Sequence, residues 1–268
     1  MSSTTSEQFP TNIYLFQEKS TLKIGDQEYE TSISYNLFVE NEQEEEDFEV
    51  SIERTNFKVN EKKIDTKFLT IANQYMEALF PLHCVVENFR LKIVNLAEIQ
   101  RRIKKKDDQL EAKYGGDGLI NIQNQFKKAT DTVEKISDFV KQLPFMKILN
   151  FGMQKFEKNQ NYFIKWNILA IGYSKWKGEM IYSKDVNKLI YEPKIDNAQE
   201  MMNEIIQYIH KNDHDVDFEE ENIGLFADFK LNIDYTGETG RMKKADTEIC
   251  IEVENKFFYE QKITLSNK

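Results

Sequence analysis

Tyr29-Glu30-Thr31-Ser32-Ile33-Ser34-Tyr35-Asn36-Leu37-Phe38-Val39 decides the fold class. Its large side chains fall on alternate residues, with mostly small or polar residues between them. Alternation of this kind places one face of an extended strand on a core and leaves the other in water. A helix would need apolar residues three and four apart. The stretch is therefore a half-buried strand of the antiparallel type.

Working outward, the same period governs residues 12 to about 59. Ile13 and Leu15 alternate with Tyr14 and Phe16, and Phe48, Val50 and Ile52 repeat the pattern before Phe57 and Val59. Gly25-Asp26 and the acidic run through Glu44, Glu45, Glu46 and Asp47 supply the two turns. Beyond residue 60 the period changes. Phe68, Leu69, Ala72, Tyr75, Met76 and Leu79 recur at helical spacing, and Pro81 stops that helix. Leu82 to Ile93 reads as a short hairpin turning at Asn88-Phe89. Residues 95–114 read as a charged helix with a thin apolar stripe, broken by Gly115-Gly116-Asp117-Gly118. One further helix is expected from Leu119 to Leu143, and another from Phe145 to Phe156.

Strands return after Asn159, in Phe163–Ile171 and around Trp176, Met180 and Tyr182. Asp196 then caps a helix with Met201, Met202, Ile205, Ile206 and Ile209 on its apolar face. Three strands close the chain: Gly224–Tyr235, Glu248–Glu254 and Phe257–Leu265. Segregated strands and helices make the class α+β, with curved antiparallel sheet and a central helical insertion at about residues 95–157. Residues 1–11 read as a polar tail, 12–94 as strands with one helix, and 158–268 as strands with one helix. The two strand regions either form separate domains or pair as one sheet.

The 268 residues are 40% apolar and 31% charged, with a net charge of −10. This is a folding composition, not a disordered one. No run of about 18 apolar residues predicts a membrane-spanning helix. The first ten residues lack the basic and apolar regions of a secretory signal. Cys84 and Cys250, the only cysteines, sit far apart among apolar neighbours and read as free buried thiols. These features predict a cytoplasmic protein. Only five of the 36 basic residues are arginine (Arg54, Arg90, Arg101, Arg102 and Arg241), a bias expected of an AT-rich bacterial genome. The acidic balance makes nucleic acid an unfavourable partner, since phosphate contacts need a positive field.

Sites of chemistry are sparse. His83 and Cys84 are adjacent on a strand and point to opposite faces, so they cannot form a nucleophile–base pair. His210 and His214 have the four-residue spacing of zinc ligands on a helix, but Asn212-Asp213 ends the helix before His214. They are weak metal candidates, and no metal or cofactor is expected. Asp213, Asp215 and Asp217 alternate as in a calcium loop, yet Phe218 and Gly224 stand where a glycine and a bidentate glutamate are needed. Gly115–Gly118 and Gly237–Gly240 precede no Gly-Lys-Ser/Thr, and read as connectors.

What remains are contact surfaces. Glu44, Glu45, Glu46 and Asp47, and Glu219, Glu220 and Glu221, are acidic runs in loops. Arg101, Arg102, Lys104, Lys105 and Lys106 form the one dense basic run. Phe257-Phe258-Tyr259 puts rings on both faces of one strand, making Phe257 and Tyr259 candidates for an interface. The expectation is a non-catalytic protein that binds another protein as an accessory or scaffold subunit of a bacterial assembly, the net negative charge being compatible with a basic partner. The alternatives are an acidic inhibitor or immunity-type protein against a basic toxin, a carrier of a small apolar ligand between sheet and helices, and an unrecognised hydrolase.

Overall fold

The computed structural model describes residues 11–44, 47–64, 66–153, 161–169, 171–214, 216, 218, 224–236 and 241–268; for 41–44 and 47–49 it describes the backbone alone. Among the described residues are twelve strands and six helices. The strands are β1 (Asn12–Ile24), β2 (Gln27–Glu44), β3 (Asp47–Val59), β4 (Leu82–Glu87), β5 (Arg90–Ile93), β6 (Asn161–Ile168), β7 (Gly172–Ser183), β8 (Lys188–Tyr191), β9 (Lys194–Ile195), β10 (Leu225–Tyr235), β11 (Met242–Val253) and β12 (Phe257–Asn267). The helices are α1 (Lys67–Glu77), α2 (Leu96–Lys113), α3 (Asp117–Thr130), α4 (Val133–Gln142), α5 (Pro144–Met153) and α6 (Ala198–Lys211). The strands hydrogen-bond in the order β5-β4-β3-β2-β1-β12-β11-β10-β8-β7-β6, with β9 on β7. This is the antiparallel α+β class that the alternation predicts.

The chain divides into two compact units. One holds residues 1–15, 34–154 and 267–268; the other holds 16–33 and 155–266. Helices α2–α5 share a unit with β3–β5 and α1. The start of β2 belongs with the C-terminal strands.

In the first unit, the β4–β5 hairpin turns through Asn88 and Phe89, both in the left-handed region (φ 49° and 57°). Its register pairs Cys84 with Ile93 and Val86 with Leu91. The expected 119–143 helix is two helices. Thr132 adopts extended backbone (φ −122°, ψ 162°), and its hydroxyl accepts a hydrogen bond from the Lys135 amide, so α4 starts anew there. The cluster of Thr130, Asp131 and Thr132 favours a cap over helix continuation.

In the second unit, β10, β11 and β12 pair along most of their length. Their inward positions carry Phe229, Leu231, Ile233, Ile249, Ile251, Phe257, Tyr259 and Ile263, all buried. Trp166 and Trp176 meet Phe229 at centroid distances of 5.5 and 5.3 Å. Short strands β8 and β9 fill the interval between residues 183 and 196 that carries no clear sequence signal. Gly178 of β7 lies against Pro193: a Cβ there would stand 2.6 Å from the Pro193 Cα, so only glycine lets β9 approach. Asn197, not Asp196, is the residue before α6; its side chain accepts from the Lys175 amide at 2.7 Å and donates to the Tyr173 carbonyl.

Candidate binding site

Helix α1 forms one wall of a groove in the first unit, and three polar contacts fix the helix. Arg54 of β3 donates to Asn73 Oδ1 at 2.6 Å, and Asn73 donates on to Glu77. The Arg54 guanidinium sits over the rings of Phe57, Phe80 and Tyr35, at 4.8, 5.5 and 5.7 Å from their centroids. At the far end of α1, Arg102 of α2 donates to the carbonyls of Ala78, Leu79 and Pro81 at 2.8–3.1 Å, and to Glu98 at 2.9 Å. In the middle, the Tyr75 hydroxyl donates to Asp107 Oδ1 at 2.5 Å. Lys127 of α3 approaches Asp107 at 3.6 Å, and Gln123 donates to Glu111. Helices α1, α2 and α3 are thus tied around Ile71, Tyr75, Leu110 and Leu119.

Beside this core, α1, α3 and α4 leave a groove of about 310 Å³. Phe68, Met76, Ile122, Phe126 and Phe139 supply its apolar walls, and Ala72 and Ala129 leave the space. Phe126 touches both Tyr75 (4.9 Å) and Phe139 (5.7 Å, edge-on). Asn121 and Gln125, one helical turn apart on α3, bring two amides to it. Tyr75 is its sole titratable lining group, and burial together with the bond to Asp107 pushes that phenol far above its usual range. The lining is therefore uncharged at neutral pH, and the Tyr75 hydroxyl is already committed. The groove opens to solvent, with Phe68 61% exposed at its edge. Its chemistry suits an apolar, uncharged group.

The residues singled out from sequence are scattered. Glu45, Glu46, Glu219, Glu220 and Glu221 lie outside the described residues; Glu44 ends β2 and Asp47 begins β3, with side chains undescribed. Phe257 and Tyr259 have no exposed surface. They occupy inward positions of β12, and the outward ring of that trio belongs to Phe258. The basic run splits by helical phase. Arg101, Lys104 and Lys105 are exposed and Lys106 half-buried, whereas Arg102 turns inward onto the carbonyls after α1. His210 is exposed near the end of α6, and His214 lies beyond it, its Nδ1 3.1 Å from Gln27 Oε1. Among the described residues no group of three His, Cys, Asp or Glu side chains is placed to hold a metal. Burial pushes the Cys84 thiol up to about 12; burial and surrounding carboxylates push that of Cys250 up to about 11.

Sequence reasoning missed the groove because each wall reads as an ordinary apolar helix face. The one available signal is the break at Thr132, which frees α4 to turn Phe139 toward α3.

No family model matches the chain, and no curated protein matches it. Among solved structures, one of "lipid-protein interactions in lipovitellin" aligns over 97% of this chain and 25% of its own, with a TM-score of 0.45 and 11% identity. The chain spans about a quarter of that structure's length. Among the described residues, no helix is long and apolar enough to cross a membrane.

Proposed function

We propose that the chain is a non-catalytic, cytoplasmic binding protein, an accessory or scaffold subunit of a bacterial assembly, that takes an apolar side chain of a partner protein into the α1–α3–α4 groove. The observation that carries this reading is the uncharged, aromatic-lined and open groove. A small molecule held there would keep part of its surface in water, whereas pockets for small ligands cover most of theirs. A side chain projecting from a partner would be capped by the partner itself, as in helix-in-groove recognition. The net charge of −10 favours a basic partner. The two thiols, held protonated at neutral pH, support a role without nucleophilic cysteine chemistry.

The test compares affinity capture by the wild type and by Ala129→Trp, which fills the groove. Burying one large apolar side chain contributes about 1.5–3 kcal/mol. Filling its seat should therefore weaken partner capture by roughly tenfold or more. Equal capture by both forms would remove the groove from the function. An apolar small molecule found by mass spectrometry in the extract of the wild type, and lost in Ala129→Trp, would replace the partner with ligand carriage.

A further inference from the structure

We infer that Phe226, Glu252 and Phe258, on the outward face of β10, β11 and β12, form a seat for an arginine side chain on a basic segment of another protein. The inference does not depend on the groove, which lies in the first unit.

The register of the three strands sets their outward side chains in rows. Phe226, Glu252 and Phe258 stand directly opposite one another in one row. Asp228, Cys250 and Glu260 form the next, and Lys230, Glu248 and Lys262 the one after. Neighbouring rows lie about 7 Å apart along the strands. The residues that alternate with them, Phe229, Ile249, Ile251, Phe257 and Tyr259, have no exposed surface, so the rows face away from the core.

The first and third rows are built alike except beside the carboxylate. Glu248 stands between two lysines, and Lys262 pairs with it at 3.2 Å. Opposite charges across strands stabilise a sheet. Glu252 stands between two phenyl rings instead. The same two lysines serve the middle row: Lys230 pairs with Asp228 and Lys262 with Glu260, each at 2.8 Å. Lys256, the nearest lysine along the chain, is turned to Glu254 at 3.5 Å and lies 5.7 Å from the Phe218 ring. Among the described residues Glu252 has no ion pair. Of the carboxylates in the three rows, it alone lacks a cation.

The flanking rings reach solvent. Phe226 is 59% exposed, and Glu252 and Phe258 are half-buried. A cation over Glu252 would meet the carboxylate beneath it and a ring on either side. A guanidinium suits this place better than an ammonium, because its planar fork engages both carboxylate oxygens and its faces stack on aromatic rings. The charge of the face rejects other occupants. A nucleic acid or an anionic membrane would meet Asp228, Glu252 and Glu260. A second copy docked face to face would set one Glu252 against another.

The probe is a blocked, fluorescent octapeptide of alternating arginine and alanine, titrated by anisotropy at about 150 mM salt to screen unspecific attraction. Saturable binding is expected. The same peptide with citrulline, the uncharged isostere of arginine, should not bind, and with lysine it should bind at least about threefold more weakly. Glu252→Gln and Phe226→Ser should each weaken binding of the arginine peptide by at least about fivefold. Glu30→Gln, which makes the same change in net charge at an exposed carboxylate paired with Lys19, should bind as the wild type does. Ala129→Trp should do likewise. The citrulline comparison needs no protein variant, so it stands even where a variant fails to fold. The proposal is overturned by no binding of the arginine peptide, by equal binding of the citrulline or lysine peptide, by Glu252→Gln without effect, or by an equal effect of Glu30→Gln. It is equally overturned if spermine binds this face more tightly than the peptide, or if the chain self-associates and Phe226→Ser makes it monomeric.

Discussion

Cys84 has no exposed surface on β4, and its thiol is pushed up to about 12. Thiolate, not thiol, reacts with alkylating agents. Cys84 should therefore resist iodoacetamide at pH 8 in the native protein and react on unfolding, while the half-buried Cys250 reacts slowly. Peptide mapping after timed alkylation checks this, and rapid native labelling of Cys84 would contradict its burial. Arg102 makes the second residue-scale case. It lies in a basic run, yet it serves three backbone carbonyls after α1. Arg102→Ala should cost about 2–3 kcal/mol, because those acceptors lose a charged donor. Arg102→Lys should recover less than half of that loss, since an ammonium cannot span all three. Arg101→Ala, one residue away on the exposed face, should stay within about 0.5 kcal/mol of the wild type. Urea unfolding of the three variants separates inward from outward positions of one charge run.

At the scale of elements, the helix break at Thr132 depends on one hydroxyl. Thr132→Ala should lower stability by about 1 kcal/mol, and Thr132→Ser should retain most of it. A shift in urea midpoint for alanine alone is the expected pattern; equal effects would place the break elsewhere. The strands were legible where one face is core and the other water. Tyr35, Leu37 and Val39 on β2 are buried, as their alternation requires. So was the β4–β5 turn, since Asn88 favours the left-handed region that it adopts. β8 and β9 were not legible, because four and two residues are too few to show a period. The α3–α4 break was missed because Phe126, Ala129, Val133 and Ile136 keep helical spacing across it. Periodicity reports which face is buried, not whether the backbone is continuous. The groove is a further step away from sequence: its space comes from two small residues, Ala72 on α1 and Ala129 on α3, lining it from different helices. The cross-strand pairing of Lys165 with Lys175 is likewise visible only in register.

For the molecule as a whole, pH dependence follows from Lys147 on α5. Only 9% of it is exposed, and burial pushes its ammonium down to about 7. In the unfolded chain the same group keeps its proton to about 10.4. Between these values the unfolded state binds more protons than the native state, so stability rises with pH. From pH 7 to about 9.5 the gain from this group is up to roughly 1.4 kcal/mol per pH unit. Lys147→Met should flatten the slope of unfolding free energy against pH in that window. A slope unchanged by the substitution would show that Lys147 stays charged in the native protein.

The central claim is that the α1–α3–α4 groove holds an apolar side chain of a protein partner. Phe68, exposed at the groove's edge, is the position from which to test it. With Phe68 replaced by p-benzoylphenylalanine, illumination in native lysate should cross-link one protein at stoichiometric yield. The attachment point should be an apolar residue of that partner, and prior substitution Ala129→Trp should suppress the adduct. The same photoreactive group at Ile181, an exposed position on β7, should give no such adduct. Equal labelling from both positions, or labelling from position 68 that survives a filled groove, would contradict the account.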